Sequence, residues 1–208
     1  MPRIAAFLLS LCLLGGAMSA RATEEPGFSV LRTLGDVQIR QYAGYAVAEV
    51  VVPGPAESAG SRAFPILAGY IFGKNKAGTS FAMTAPVTQA QAASGATFAM
   101  TAPVTQAPTD DGYLVQFVLP QGVTAEAAPA PLDPRVRLRQ IAPRTLAAIR
   151  YSGFWSAAND EKHLRLLRDT LRGADFLWQG EPVTARYDPP WTPWFMRRNE
   201  IWLDVTPK

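Results

Sequence analysis

The sequence predicts an α+β domain: an antiparallel sheet system, closed or nearly closed on itself, built from two similar strand-strand-helix-strand halves with their two helices on one side. Three observations carry that prediction. Short apolar or alternating runs are punctuated by glycine turns, two longer segments show apolar stripes at helical spacing, and the same order of elements occurs twice.

In the first half, Phe28 to Leu34, Val37 to Tyr42 and Tyr45 to Val52 read as strands, separated by Gly35-Asp36 and Gly44. A helix should start near Pro55, where a missing N–H costs nothing, and stop near Gly73. Phe64, Leu67, Ala68 and Ile71 form its apolar stripe, with Pro65 inside the pattern as a kink. The Ala/Pro-rich piece Thr124 to Pro131 reads as a crossing loop between halves.

The second half offers Val136 to Ile141 and Leu146 to Tyr151 as strands. Ser156 is then a candidate N-cap for a helix that ends at Gly173 and buries Leu164, Leu167 and Leu171. Pro182 to Tyr187 and Glu200 to Val205 close the half as strands.

A ten-residue sequence, FAMTAPVTQA, fills Phe81 to Ala90 and recurs unchanged from Phe98 to Ala107. The spacer from Gln91 to Thr97 contains a turn signal, so the copies are expected as a hairpin. Phe81 and Met83, with Phe98 and Met100, should then be buried on adjacent strands. Pro86 and Pro103 confine the strand after each of them to an edge or a bulge.

Ahead of the domain, Met1 to Ala22 has the form of a secretory signal: Arg3, the apolar run Ile4 to Leu14, then small residues ending in Ala20-Arg21-Ala22. A spanning helix would need about 20 apolar residues, so cleavage is expected. Thr23 to Lys208 then forms one periplasmic or secreted domain with no membrane span. Cys12, the single cysteine, leaves with the signal. The mature chain therefore has no disulfide, no thiolate nucleophile and no covalent haem attachment.

Loss of Arg3 and Arg21 leaves 18 Lys and Arg against 17 Asp and Glu. Nucleic acid is not implied, because Arg165, Arg168 and Arg172 alternate with Asp160, Glu161 and Asp169 on a solvated helix face. No segment implies a protein partner. One histidine, His163, excludes multi-histidine metal sites, and the lack of a cysteine in the mature chain excludes Cys-His pairs. His163 flanks the Leu164, Leu167, Leu171 stripe, from where it could reach a pocket edge as an axial iron ligand. Glu200 is the candidate for carboxylate chemistry.

The densest constellation is Tyr187 to Glu200, where prolines stiffen a segment bearing Trp191, Trp194 and Phe195, followed at once by Arg197 and Arg198. Rings and guanidiniums suit a planar ligand with carboxylates at its rim.

Together with Val37-Gln-Ile-Arg-Gln-Tyr42, Met-Thr-Ala-Pro-Val at Met83 and Met100, and Asp133-Pro-Arg-Val-Arg137, this segment resembles the SOUL/haem-binding protein family. Tyr187-Asp-Pro-Pro190 and Arg197-Arg-Asn-Glu-Ile-Trp202 complete the match, and the doubled unit is similar to the bacterial branch. The resemblance implies a two-half distorted barrel and non-covalent haem or tetrapyrrole binding, without catalysis, in an apolar cleft beside the first helix and the loop before the last strand. That points to Phe64, Leu67, Ile71, Trp191 and Trp194. Gln41 stands where one animal branch has a histidine, and Ser61 and Gly69 stand where other members carry basic residues.

Two alternatives belong to other classes. The architecture also resembles bacterial effector-binding domains that hold hydrophobic cations over a pocket glutamate, the role Glu200 would take. A small hydrolase would need Glu200 to converge with Tyr70 or Tyr151 on a shared pocket.

Overall fold

The computed structural model describes residues 24–91, 112–189 and 191–208. The proposed signal and cleavage site, and the second copy of the repeat with Phe98, Met100 and Pro103, lie outside the described residues.

Among the described residues, nine strands form one antiparallel sheet. They are β1 (Phe28–Leu34), β2 (Val37–Tyr42), β3 (Tyr45–Pro53), β4 (Val87–Gln91), β5 (Gly112–Val118), β6 (Arg137–Ile141), β7 (Arg144–Tyr151), β8 (Phe176–Arg186) and β9 (Asn199–Pro207). The helices are α1 (Ala56–Ile71) and α2 (Ala157–Arg172). The lateral order of the strands is β1-β2-β7-β9-β8-β4-β5-β3-β6. The sheet is open, which corrects the expectation of a closed or nearly closed barrel. Its two ends are poor pairing surfaces: β1 is bulged between Val30 and Arg32, and β6 is short and carries Arg137 and Arg139.

Strand registers place both helices on one face. Ala48, Phe117, Val87, Arg186, Asn199 and Tyr151 succeed one another across six strands, and paired residues share a face. Phe117 packs under α1, whereas Arg186 meets Asp160 of α2. The next row, on the face without helices, reads Arg137, Glu49, Gln116, Thr88, Ala185, Glu200 and Arg150.

Helix α1 lays Ala59, Ala63, Leu67 and Ile71, four residues apart, against Ala46, Ala48, Val50 and Val52 of β3 and Val115 and Phe117 of β5. Leu67 and Ile71 are therefore buried in this core, and neither lines the two clefts described below. The helix stripe is consumed by the sheet, leaving Phe64 at its margin. Helix α2 buries Leu164, Leu167 and Leu171 on Ile149, Ile201 and Leu203. Its N-cap is Ser156, which accepts a hydrogen bond from the Asn159 amide at 3.3 Å.

The first repeat copy departs from the hairpin reading. Only Val87–Gln91 is a strand, and it pairs with β5 and β8. Phe81 and Met83 precede it, half-buried against the α1 core, with Phe81 stacked on Tyr70 at 5.9 Å. Among the described residues, no helix is long and apolar enough to cross a membrane.

Candidate functional site

At the centre of the helix-free face sits the buried carboxylate of Glu200. Arg40 on β2 donates from Nη1 to Oε2 at 2.7 Å and from Nη2 to Oε1 at 3.2 Å. Arg198 donates to Oε1 from Nε at 3.1 Å and Nη2 at 2.9 Å. The Tyr187 hydroxyl and the Trp202 indole N–H complete the set on Oε2, at 3.0 and 2.8 Å. Each oxygen thus accepts three donors. Burial pushes the Glu200 carboxyl upward, but the Arg40 hydrogen bond and charge, with Trp202 and Arg198, outweigh it and hold its pKa below the usual carboxylate value. Burial first, and then the Glu200 charge, pushes the Tyr187 hydroxyl far up, so it stays a donor. Arg198 also meets Glu25 at 2.7 Å and lies 3.7 Å over the Tyr187 ring.

This network fixes Glu200 as an anchor, and neither alternative role fits it. A carboxylate holding two guanidiniums has no net negative charge to offer a hydrophobic cation. The hydrolase pairs do not form either. Tyr70 donates to the Pro129 carbonyl and Tyr151 to Asp160.

The same network clamps the loop between β8 and β9. The Tyr187 amide donates to the Arg198 carbonyl at 3.3 Å, and the Arg198 amide donates to Asp188 at 2.6 Å. A second tie joins the Gly153 amide to the Trp194 carbonyl at 2.9 Å. Gly153 has φ +116, and a Cβ there would lie 2.7 Å from Asn159 Nδ2, so this approach requires glycine. Arg197 donates to the Thr192 carbonyl at 2.8 Å and lies 4.5 Å over the Trp155 ring.

With both ends tied, the stiff loop holds its rings out to solvent. Trp191 is 82% exposed, Phe195 60% and Met196 66%. Phe154 stacks on Trp194 at 5.3 Å, and Trp194 meets Phe195 edge-on at 5.6 Å, so the exposed rings form one continuous lip. Phe195 and Met196 border a cleft of about 430 Å³ that also involves Asp36, Arg150 and Arg197. A neighbouring cleft of about 400 Å³ runs over Gln38, Arg40, Arg198 and Glu200, with Phe28 at its edge. Asp36 and Arg150 line both.

Among the expected site residues, Trp194, Arg197 and Arg198 are brought together around this corner, and Trp191 stands further out on the same loop. Phe64 does not join them. It contacts Phe117 edge-on at 5.7 Å, and among the described residues no ring contact links it to either tryptophan. His163 hydrogen-bonds through Nδ1 with the Asn159 carbonyl at 2.8 Å, and its ring stacks on Tyr151 at 4.2 Å. Among the described residues, no cluster of three or more His, Cys, Asp or Glu could hold a metal. Sequence reasoning missed Phe154, Asp36 and Arg150, of which only Phe154, in an aromatic pair after a strand, carried a visible signal.

The family model described as SOUL heme-binding protein matches residues 23–204. The chain belongs to the SOUL family. A comparison with curated proteins found no match. Among solved structures, the C-terminal domain of EcmrR is similar to this SOUL-family chain with TM-score 0.56 at 12% identity, over 83% of this chain and 98% of that one. An uncharacterized conserved protein from Listeria innocua gives 0.60 at 11%, over 82% and 92%. A hydrolase from the same organism gives 0.58 at 11%, over 85% and 94%. At these identities the likeness is one of fold.

Proposed function

We propose that this SOUL-family protein is a non-catalytic binder of a flat apolar ligand with carboxylates at its rim, haem or a related tetrapyrrole, held non-covalently against the lip of Trp194, Phe195 and Phe154. The observation that carries the reading is the lip itself: connected aromatic rings, held out to solvent by a clamped loop, at the mouth of a cleft with guanidiniums. Soluble proteins seldom expose such surface without a use for it. Absence of catalysis is supported by the saturation of Glu200, which leaves no lone pair of the carboxylate to act as a base. This reading moves the ligand away from the cleft beside α1 that the family resemblance implied, because Leu67 and Ile71 are buried in the core.

Adding haemin to the purified protein should give a saturable shift of its Soret band. His163→Ala should leave that band unchanged, because His163 sits on α2 and lines neither of the two clefts at the lip. No saturable shift would defeat the haem reading, whereas a Soret band altered by the substitution would make His163 an iron ligand after all.

A further inference from the structure

Apolar contact alone is a weak basis for the proposed binding. The gain from burying a ligand's apolar face grows with its area, and the freedom lost on association offsets a comparable amount. A charged contact is needed for tight binding, so the state of each cation at the corner matters.

Arg40 and Arg198 are spent on Glu200 and Glu25. Arg197 is occupied by the Thr192 carbonyl and the Trp155 ring. Arg150 differs from all three. It projects from β7 on the helix-free face, directly across from Glu200 in the strand register. Its natural cross-strand partner is already saturated by six donor contacts, and among the described residues Arg150 has no hydrogen bond, ion pair or ring contact. It is exposed and lines both clefts, which meet at its side chain.

We propose that Arg150 reads a carboxylate of the bound ligand: a flat molecule resting on the lip places one rim carboxylate on this guanidinium, where the two clefts join. The inference rests on the proposed function and names the chemistry its site selects, an aromatic or tetrapyrrole acid over its neutral ester. A free guanidinium fork at a cleft mouth binds a carboxylate through two parallel charge-assisted hydrogen bonds. Asp36, in the β1–β2 turn, lines the same two clefts. Its negative charge opposes a carboxylate there, so the site admits one such group beside Arg150.

The test compares haemin with haemin dimethyl ester, monitored by quenching of tryptophan fluorescence. The unaltered protein should prefer the diacid by about tenfold, the worth of one charge-assisted contact. Arg150→Gln should bring the two affinities together. Asp36→Asn should move the diacid the other way, tightening it severalfold, which a merely structural role for this corner would not do. Both positions are exposed, and thermal unfolding of each variant checks the fold. A preference that survives Arg150→Gln overturns the inference while leaving the binding function standing. Failure of both ligands to bind the unaltered protein overturns the binding function, and the inference with it.

Discussion

Glu200→Ala should destabilise the folded protein by about 3–5 kcal/mol, the usual cost of removing one partner from a buried ion pair. Arg40 is 4% exposed, so it would keep its charge with no carboxylate and little water to meet it. Tyr187 and Trp202 would also lose their shared acceptor. Domains of this kind have only about 5–15 kcal/mol in hand, so a large shift of the denaturation midpoint is expected in urea. Glu200→Gln keeps one acceptor oxygen and the packing, and should lose less. The pH dependence has a definite sign. Because the folded pKa is held down, this stabilisation is complete above the unfolded-chain value of about 4.3 and is given up as pH falls through the lower folded value. A midpoint for Glu200→Ala within about 1 kcal/mol of the unaltered protein would show that the network is not an anchor.

The second large effect lies at the alkaline end. Burial pushes Tyr42 up to about 12, and burial with neighbouring carboxylates pushes Tyr151 and Tyr187 higher still. In the unfolded chain each ionises near about 10. A raised folded pKa contributes stability that is whole below about 10 and is lost as pH rises through the folded value. Each tyrosine then contributes about 1.4 kcal/mol per pH unit, so the three together should cost about 4 kcal/mol per unit above pH 10. Denaturant melts at stepped alkaline pH should show this decline, and Tyr42→Phe should reduce the slope by about a third. A flat profile to pH 11.5 would contradict the burial of the three hydroxyls.

Much of the fold was legible because it depends on local pattern. Strands β1 to β3, the Ser156 cap, the Leu164, Leu167, Leu171 stripe and both helices arise from periodicity and capping, which neighbours in sequence determine. Long-range pairing was not legible in this way. The repeat suggested its own partner, yet β4 pairs with β5, whose Val115 and Phe117 are buried under α1. Strand β8 starts at Phe176, well before Pro182, because the register shift between Gln179 and Val183, with Gly180 at φ +73, absorbs the irregularity. Open or closed edges also leave no periodic trace.

The site was legible in composition but not in arrangement. Trp194, Arg197 and Arg198 announced themselves as one dense segment. Nothing local could show that Arg198 is consumed by Glu200, that Glu200 is met by Arg40 from 160 residues away, or that Arg150 consequently has no partner among the described residues. Which arginine is available depends on which others have found carboxylates, and that is settled only when the strands are laid side by side.

The central claim is that the exposed lip holds a flat ligand, and the most direct measurement is haemin affinity in the double variant Trp194→Ala/Phe195→Ala. Each ring should contribute on the order of 1 kcal/mol of contact, so the pair should weaken binding roughly thirtyfold. About half of Trp194 and more than half of Phe195 stand in solvent, at 48% and 60% exposed, so the melting temperature should move little. Unchanged haemin affinity in a folded double variant would contradict the account and place the ligand elsewhere on the sheet.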